Sequence, residues 1–160
     1  MNDSSTHKDE VMQRLVTLGI ALPEPPAPLG FYRAVVQAAS TLHVSMQGPL
    51  SEGRAAYVGQ LGREVGMEDG RKAAQLAVVN ALAQVRGYLG GFEKVGQIVR
   101  LDGYVACTDT FFEHPKVLDA ASELLLSVLG RRAGHARTVC GVRNLPGGLP
   151  VAIALTVELR

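Results

Sequence analysis

The sequence has 160 residues, of which 47% are hydrophobic and 19% charged, with a formal net charge of +1. This length suits one globular domain, and a charge this close to zero argues against a nucleic-acid partner. No apolar run approaches the roughly 20 residues that a membrane-spanning helix needs, and the first ten residues do not resemble a secretory signal. The two cysteines are not arranged as a zinc ribbon or a disulfide framework. We therefore expect a cytoplasmic protein that does not enter a membrane.

Periodicity and turn residues predict the elements of the first half of the chain. Apolar residues at helical spacing predict a short helix over 8–18, and four prolines between residues 23 and 28 predict an extended arm rather than a strand. Two Val- and Leu-rich segments predict a β-hairpin over 33–47. The Gly-rich segment 48–66 predicts a long loop with one short strand near 55–59.

The second half of the chain gives stronger signals. An Ala-rich stripe predicts a long helix over 67–89, closed by Gly90, and a second apolar stripe predicts a helix over 113–129. A strand is predicted over 95–107, with Val99, Leu101 and Val105 on one face. Two further strands, 137–143 and 151–159, are joined by turn residues that favour a hairpin.

The last strand indicates how the sheet is covered. Two amphipathic helices can cover only one face of a mixed sheet. The alternate face of strand 151–159 begins with Ala152, Ala154 and Thr156, which are small and only weakly polar. We therefore predict a homo-oligomer whose subunits pack their helix-free sheet faces together.

The common catalytic motifs GxxxxGK[ST], GxGxxG, HExxH and GxSxG are absent from the sequence. Cys107 and Cys140 lie in apolar stretches and are predicted to be buried, unreactive thiols. His43 is predicted to be structural, while His7 and His114 lie in exposed-looking segments. No metal site and no cofactor are predicted.

Arg137 is the most informative single residue, because it stands at the start of a predicted strand. Its guanidinium could clamp a carboxylate bidentately, or it could form a structural ion pair. His135 lies two residues earlier and could polarise a water or donate to a ligand, or it could serve as a capping or interface histidine.

Four segments of the sequence resemble the RidA/YjgF family, also called the endoribonuclease L-PSP family. They are Leu29-Gly30-Phe31-Tyr32, Val44-Ser45-Met46-Gln47, His135-Ala136-Arg137-Thr138 and Leu145-Pro146. The resemblance implies an α+β, chorismate-mutase-like subunit, with a mixed β-sheet and two helices packed on one face. It also implies a homotrimer with ligand sites between subunits. We accordingly divide the chain into an N-terminal helix and Pro-rich arm, 1–27, and a RidA/YjgF-like domain, 28–160.

The resemblance also implies a function. Members of the family hydrolyse reactive enamines and imines, such as 2-iminobutanoate and 2-iminopropanoate, to ammonia and a 2-keto acid, without a cofactor. By this resemblance Arg137 binds the substrate carboxylate, and Tyr32, Ser45 and the backbone of Val139 contribute to substrate binding.

Three positions depart from the family pattern. Met46 stands where the family usually has glycine, Asp119 where asparagine is common, and Ala152 where a glutamate positions the hydrolytic water. Asp119 and His135 are the candidates to replace that glutamate. Three functions follow: an imine deaminase, a non-catalytic trimer that binds a small carboxylic acid, and, ranked last, an RNA-cleaving or translation-inhibiting protein.

Overall fold

The computed structural model describes the backbone of residues 4–160 and the side chains from Glu10 onward. Residues 1–3 of the polar leader, and the side chain of His7, lie outside this description. The longer elements are the helices α1 (Ser4–Thr17), α2 (Met67–Leu89) and α3 (His114–Leu129), and the strands β1 (Val35–Ala38), β2 (Thr41–Gln47), β5 (Val95–Ala106), β6 (Ala136–Val142) and β7 (Val151–Leu159). The two-residue strands β3 (Leu50–Ser51) and β4 (Arg54–Ala55), and the 3-10 turns Gly130–Ala133 and Pro146–Gly148, complete the fold.

The main sheet has five strands in the order β1-β2-β7-β5-β6. All neighbours are antiparallel except β5 and β6, which run parallel. The predicted hairpin over 33–47 is confirmed, because β1 pairs with β2 from Val35 opposite Val44 to Ala38 opposite Thr41. The single short strand expected near 55–59 is wrong, since the loop instead holds the pair β3 and β4.

The hairpin predicted between the last two strands is also wrong. Strand β5 lies between β6 and β7, so the two strands are not neighbours in the sheet. Gly147 and Gly148 have positive φ and form the expected turn, but a turn reverses a chain without choosing its partner strand. The inner residues of β7 are almost fully buried, and a strand of this kind belongs at the centre of a sheet rather than beside an edge strand.

Helices α2 and α3 cover one face of the sheet. Gly103 of β5 faces Leu118 of α3, and a Cβ there would lie 2.0 Å from Leu118 Cδ1, so the missing side chain sets how closely α3 approaches. Helix α1 joins the same core through Val11 and Leu15, both fully buried, and Arg14 donates to the carbonyl of Val128 on α3. The division of the chain after residue 27 stays a prediction.

None of the helices within residues 4–160 covers the other face of the sheet, which we call the open face. The cross-strand register assigns it nine residues that face away from the helices: His43, Arg100, Asp102, Tyr104, Thr138, Cys140, Ala152, Ala154 and Thr156. Val99 was expected to share a face with Leu101 and Val105, and this is wrong. A register shift between Ile98 and Arg100 turns Ile98 inward and leaves Val99 exposed. No helix among residues 4–160 is long and apolar enough to cross a membrane.

Candidate functional site

Arg137 lies on the edge strand β6 with its side chain toward α3. Its Nη1 donates to Asp119 Oδ1 at 2.9 Å and to Ser122 Oγ at 3.2 Å. Asp119 and Ser122 are three residues apart on α3 and therefore share one helix face. The Arg137 side chain is only 22% exposed, whereas that of Asp119 is 48% exposed. The strand end and the helix thus hold a partly buried guanidinium beside a carboxylate that solvent reaches.

His135 completes this arrangement, which we call the arginine cluster (Asp119, Ser122, His135 and Arg137). Its Nδ1 lies against the carbonyl oxygen of Ala133, which can only accept, so Nδ1 carries the proton. In neutral His135, Nε2 then accepts from the Ser122 hydroxyl at 2.9 Å. The predicted proximity of Asp119 and His135 to Arg137 is therefore confirmed, but His135 contacts Arg137 only through Ser122.

Tyr32 and Ser45 lie elsewhere, in a pocket of about 500 Å³ between the arm of residues 19–34 and the end of β2. We call it the arm pocket; its wall also includes Met46, Ala152 and Leu149. Both hydroxyl groups contact backbone of the arm. Ser45 Oγ donates to the carbonyl of Arg33 at 2.8 Å, and Tyr32 Oη accepts from the backbone N–H of Leu29 at 3.2 Å.

Helix α2 holds the arm in place. Gln84, only 5% exposed, donates through Nε2 to the carbonyl of Pro26 at 2.6 Å. Gly87 lies under Pro25, and a Cβ there would come within 2.7 Å of the proline ring. Asn80 donates to the carbonyls of Gly48 and Leu50 and so fixes the far wall of the pocket. Buried amides of one helix therefore shape the arm pocket.

One chain does not bring the arginine cluster and the arm pocket together. Arg137 is aligned across the sheet with Leu101, then Leu155, then Val44. Three strand spacings separate β6 from β2, a distance of about 14 Å. The family resemblance groups Arg137 with Tyr32 and Ser45 in one site. Within one chain, however, they lie near opposite edges of the same sheet.

The departures from the family pattern also have definite places. Met46 is 45% exposed at the arm pocket, and Ala152, 5% exposed, lies in its wall. Asp119 forms an ion pair with Arg137. Val139 is partly buried and packs against the core, on the same face of β6 as Arg137.

The structure contradicts the prediction for one of the two cysteines. Cys140 is exposed on the open face, so its predicted burial is wrong, because no element within residues 4–160 covers this face. Cys107 is partly buried, with Sγ 3.2 Å from His114 Nε2. Burial, reinforced by the nearby Asp109, raises the pKa of the Cys107 thiol above its ordinary value of 9.0, which agrees with an unreactive thiol.

The remaining histidines do not form a metal site within the part of the chain that the structure describes. His114 contacts Cys107 and stacks edge-on against Phe111, and His43 is exposed on β2. Among these residues no group of three or more His, Cys, Asp or Glu side chains could hold a metal ion.

Sequence reasoning missed Ser122, Asn80 and Gln84. The i, i+3 spacing of Asp119 and Ser122 on a predicted helix was a usable signal for Ser122. The two amides stand in the Ala-rich stripe of α2, where a polar side chain at a core position needs a partner and so points to a buried contact.

The five-stranded mixed sheet with helices on one face, and an arginine at the start of its parallel edge strand, define a YjgF-like α+β subunit. Residues 12–158 match the profile of the family described as "YjgF/chorismate_mutase-like, putative endoribonuclease", and the chain belongs to this family. It is 36% identical over 150 residues to Protein TCP17 of Trypanosoma cruzi, which covers 93% of this chain and 94% of that protein.

Solved structures agree with this assignment. The crystal structure of Atu1372 from Agrobacterium tumefaciens, a protein of unknown function, is 34% identical with a TM-score of 0.92, over 98% of this chain and 96% of that one. The structure of E. coli TdcF with bound serine is 18% identical with a TM-score of 0.63, over 84% and 93%. The latter likeness concerns the fold alone.

Proposed function

We propose that this protein is a 2-imino acid deaminase that converts small imines, such as 2-iminopropanoate, to ammonia and a 2-keto acid. The observation that carries this assignment is the geometry of Arg137. Its Nη1 is held by Asp119 and Ser122, while Nε and Nη2 make no hydrogen bond to the described backbone of residues 4–160 or to the side chains from Glu10 onward. This free edge of the guanidinium suits a bidentate contact with a carboxylate.

The reaction needs little from the protein beyond orientation. A water oxygen adds to the imine carbon, and the resulting carbinolamine loses its C–N bond to release ammonia and leave a carbonyl group. A substrate carboxylate held on Arg137 fixes the imine carbon in one position, and this positioning lowers the barrier by removing the entropy cost of alignment.

A complete cleft requires a second copy of the chain. The arm pocket and the arginine cluster are about 14 Å apart across one sheet. In our proposal, a homotrimer packs its open faces together, and the arm of one subunit closes the edge strand β6 of the next. Tyr32 and Ser45 would then face the partner subunit's Arg137.

Ala152 offers no carboxylate to assist the water, so another group must do so. Asp119 is the carboxylate in contact with Arg137 and is half exposed. His135 is less well placed, since its Nε2 accepts from Ser122. Asp119 is therefore our first candidate for the general base, and such assistance is typically worth about 10² to 10⁴ in rate.

Ala152 also favours a second function. The arm pocket has an alanine where the family resemblance expects the water-positioning glutamate, so the same cleft could bind a small carboxylic acid without hydrolysing an imine. TdcF, which shares the fold, has been crystallised with serine, a small molecule that carries a carboxylate. RNA cleavage ranks below both, because a net charge of +1 attracts RNA only weakly.

The test is ammonia and keto-acid release from 2-iminopropanoate generated in situ by an amino-acid oxidase. Wild-type protein should accelerate release over the uncatalysed rate, and Arg137→Ala should lower kcat/KM by about 10- to 150-fold, the equivalent of a charge-assisted hydrogen bond. Arg131→Ala, which alters an exposed arginine just before β6, is the matched control and should behave as wild type.

Either of two results would change the assignment. A wild-type protein that binds a carboxylate ligand but does not accelerate ammonia release would establish the non-catalytic function. Full activity in Arg137→Ala would contradict the carboxylate clamp itself.

A further inference from the structure

The guanidinium of Arg137 is already partly neutralised by its own chain. Asp119 Oδ1 accepts from Nη1 at 2.9 Å, and the pair sits at a boundary where Arg137 is mostly buried and Asp119 half exposed. A simple anion that approaches the free edge of Arg137 therefore meets an attractive and a repulsive charge only a few ångströms apart. In a partly buried site the two contributions are weakly screened.

The carboxylate of Asp119 can accept a further hydrogen bond. Its second oxygen, Oδ2, makes no hydrogen bond within the described residues, and the side chain is open to solvent. Ser122 Oγ also accepts from Nη1, and Ser122 is in turn held by His135, so the guanidinium is kept in its position. The cluster therefore offers a ligand two neighbouring contacts of opposite charge: hydrogen-bond donors on Arg137 and a hydrogen-bond acceptor on Asp119.

This pattern matches a ligand that carries both charges on neighbouring atoms. A 2-amino or protonated 2-imino acid has a positive nitrogen on the carbon next to its carboxylate. Its carboxylate can accept from Arg137 while its N–H groups donate to Asp119 Oδ2, and both contacts are charge-assisted. A 2-keto acid carries the same carboxylate but presents a carbonyl oxygen, which Asp119 repels.

We infer, on the basis of the proposed function, that Asp119 is a specificity-determining residue that selects zwitterionic 2-imino and 2-amino acids over 2-keto acids. Hydrolysis removes the nitrogen that Asp119 binds. The keto acid then remains beside a carboxylate with which it shares no hydrogen bond, so the same residue that favours the substrate promotes release of the product.

The experiment compares two ligands with the same carbon skeleton, L-alanine and pyruvate, by calorimetry or by ligand-observed NMR on the full chain. Wild-type protein should bind L-alanine more tightly than pyruvate. Asp119→Asn keeps the size of the side chain and an acceptor oxygen for Nη1 but removes the charge. It should shift the ratio of the two dissociation constants toward pyruvate by about tenfold, as expected when a charged acceptor becomes neutral.

Glu123→Gln is the matched control. Glu123 lies on the same helix but pairs with Arg71, outside the arginine cluster, so its neutralisation should leave the ratio unchanged. Thermal unfolding of each variant separates a change in specificity from a loss of folded protein. An equal ratio in wild type and Asp119→Asn, a wild-type preference for pyruvate, or no binding of either ligand to wild type would overturn the role of Asp119.

These outcomes are independent of catalysis. A wild-type preference for L-alanine that Asp119→Asn abolishes would support the selection even if ammonia release were not accelerated, in which case the deaminase assignment alone would fail. Conversely, accelerated ammonia release with an unchanged binding ratio would leave the deaminase standing and remove the selection.

Discussion

Arg137 is held by a chain of hydrogen bonds that all run in one direction. The guanidinium donates to Ser122 Oγ, the Ser122 hydroxyl donates to His135 Nε2, and His135 Nδ1 donates to the carbonyl of Ala133. Every member has a partner with the correct donor or acceptor character. A long, flexible arginine therefore loses little further rotamer freedom when it binds a ligand, and preorganisation of this kind improves affinity.

Ser122→Ala tests this role at the scale of one residue. The substitution removes an acceptor from Arg137 Nη1 and a donor from His135, but leaves the Asp119 contact in place. One neutral hydrogen bond is worth about 0.5–1.5 kcal/mol, so KM for 2-iminopropanoate should rise about 2- to 12-fold, with a smaller change in kcat. Steady-state kinetics with a coupled ammonia assay measures both constants.

Ser127→Ala provides the control for that variant. Ser127 lies five residues further along α3, and its hydroxyl donates to the carbonyl of Glu123 on the helix surface. Its loss should leave KM unchanged. If Ser122→Ala matched the control, Arg137 would not need Ser122 to hold its position.

At the scale of elements, the fit of α3 against the sheet decides where the arginine cluster forms. Asp119 follows directly after Leu118, the residue that fills the space over Gly103. The height of the helix above β5 therefore also sets the distance between the carboxylate of Asp119 and the edge strand that carries Arg137. Packed interiors transmit such displacements because they have little free volume.

Gly103→Ala should show this coupling. The new methyl group would lie 2.0 Å from Leu118 Cδ1 and 2.9 Å from Cγ, so either the leucine or the helix must move. Overpacking of this kind costs about 1–3 kcal/mol of the free energy of unfolding. We expect a lower denaturant midpoint in chemical unfolding, together with a raised KM for 2-iminopropanoate.

Gly134→Ala is the comparison for this prediction. Gly134 has φ of −62° and ψ of 119°, which alanine adopts readily, and a Cβ there meets no atom closer than 3.8 Å. It should be neutral or stabilise the fold by about 0.4–1 kcal/mol through the unfolded state. An unchanged midpoint in Gly103→Ala would mean that Leu118 adopts another rotamer without displacing α3.

Local patterns in the sequence were sufficient for the longer elements but not for the short strands β3 and β4 or for all the strand pairings. The helix over 67–89 was predicted with the observed bounds, because an apolar stripe and the αL cap at Gly90 are both local signals. The position of β7 between β2 and β5 depends on which strands offer the most apolar partners, and no turn between β6 and β7 encodes that choice. The register shift at Val99 is likewise a property of a strand pair.

For the candidate site, the sequence predicted most residues of the arginine cluster, but not that Tyr32 and Ser45 lie apart from it within one chain. Arg137, Asp119 and His135 were predicted close together, and the structure confirms it, since α3 and β6 are adjacent elements joined by a short connection. Tyr32 and Ser45 share the arm pocket but not the arginine cluster. In the proposed homotrimer, it is a second subunit that would bring them to Arg137.

At the scale of the whole molecule, no helix within residues 4–160 covers the open face of the sheet. Ala152, Tyr104 and Cys140 are aligned in one row across three strands, and Ala154, Asp102 and Thr138 form the next. Small residues at the centre of a sheet face allow another sheet to approach closely. The proposed homotrimer would cover this face and complete the cleft at the same time.

Light scattering and thiol labelling test the homotrimer together. We expect a mass of about three times the 17.0 kDa of the chain, and slow alkylation of Cys140 in a Cys107→Ser background, because the open face is covered. Ala154→Glu should reduce the mass and speed the labelling, since an unpaired charge in such an interface costs several kcal/mol.

Leu126→Glu places the same charge on an exposed position of α3 and should alter neither the mass nor the labelling rate. A wild-type chain that scatters as a monomer, with Cys140 labelled as fast as in denaturant, would contradict the homotrimer and with it the shared cleft.

The central place of β7 has a consequence for synthesis. β7 is the last of these elements to leave the ribosome, yet it joins β2 on one side to β5 on the other. Until it emerges, the nascent chain holds two separate strand pairs, β1 with β2 and β5 with β6, whose inner edges both have unpaired backbone groups. The sheet can therefore close only after all its other strands have been made. During that interval the exposed edges are the points at which chaperone protection matters most.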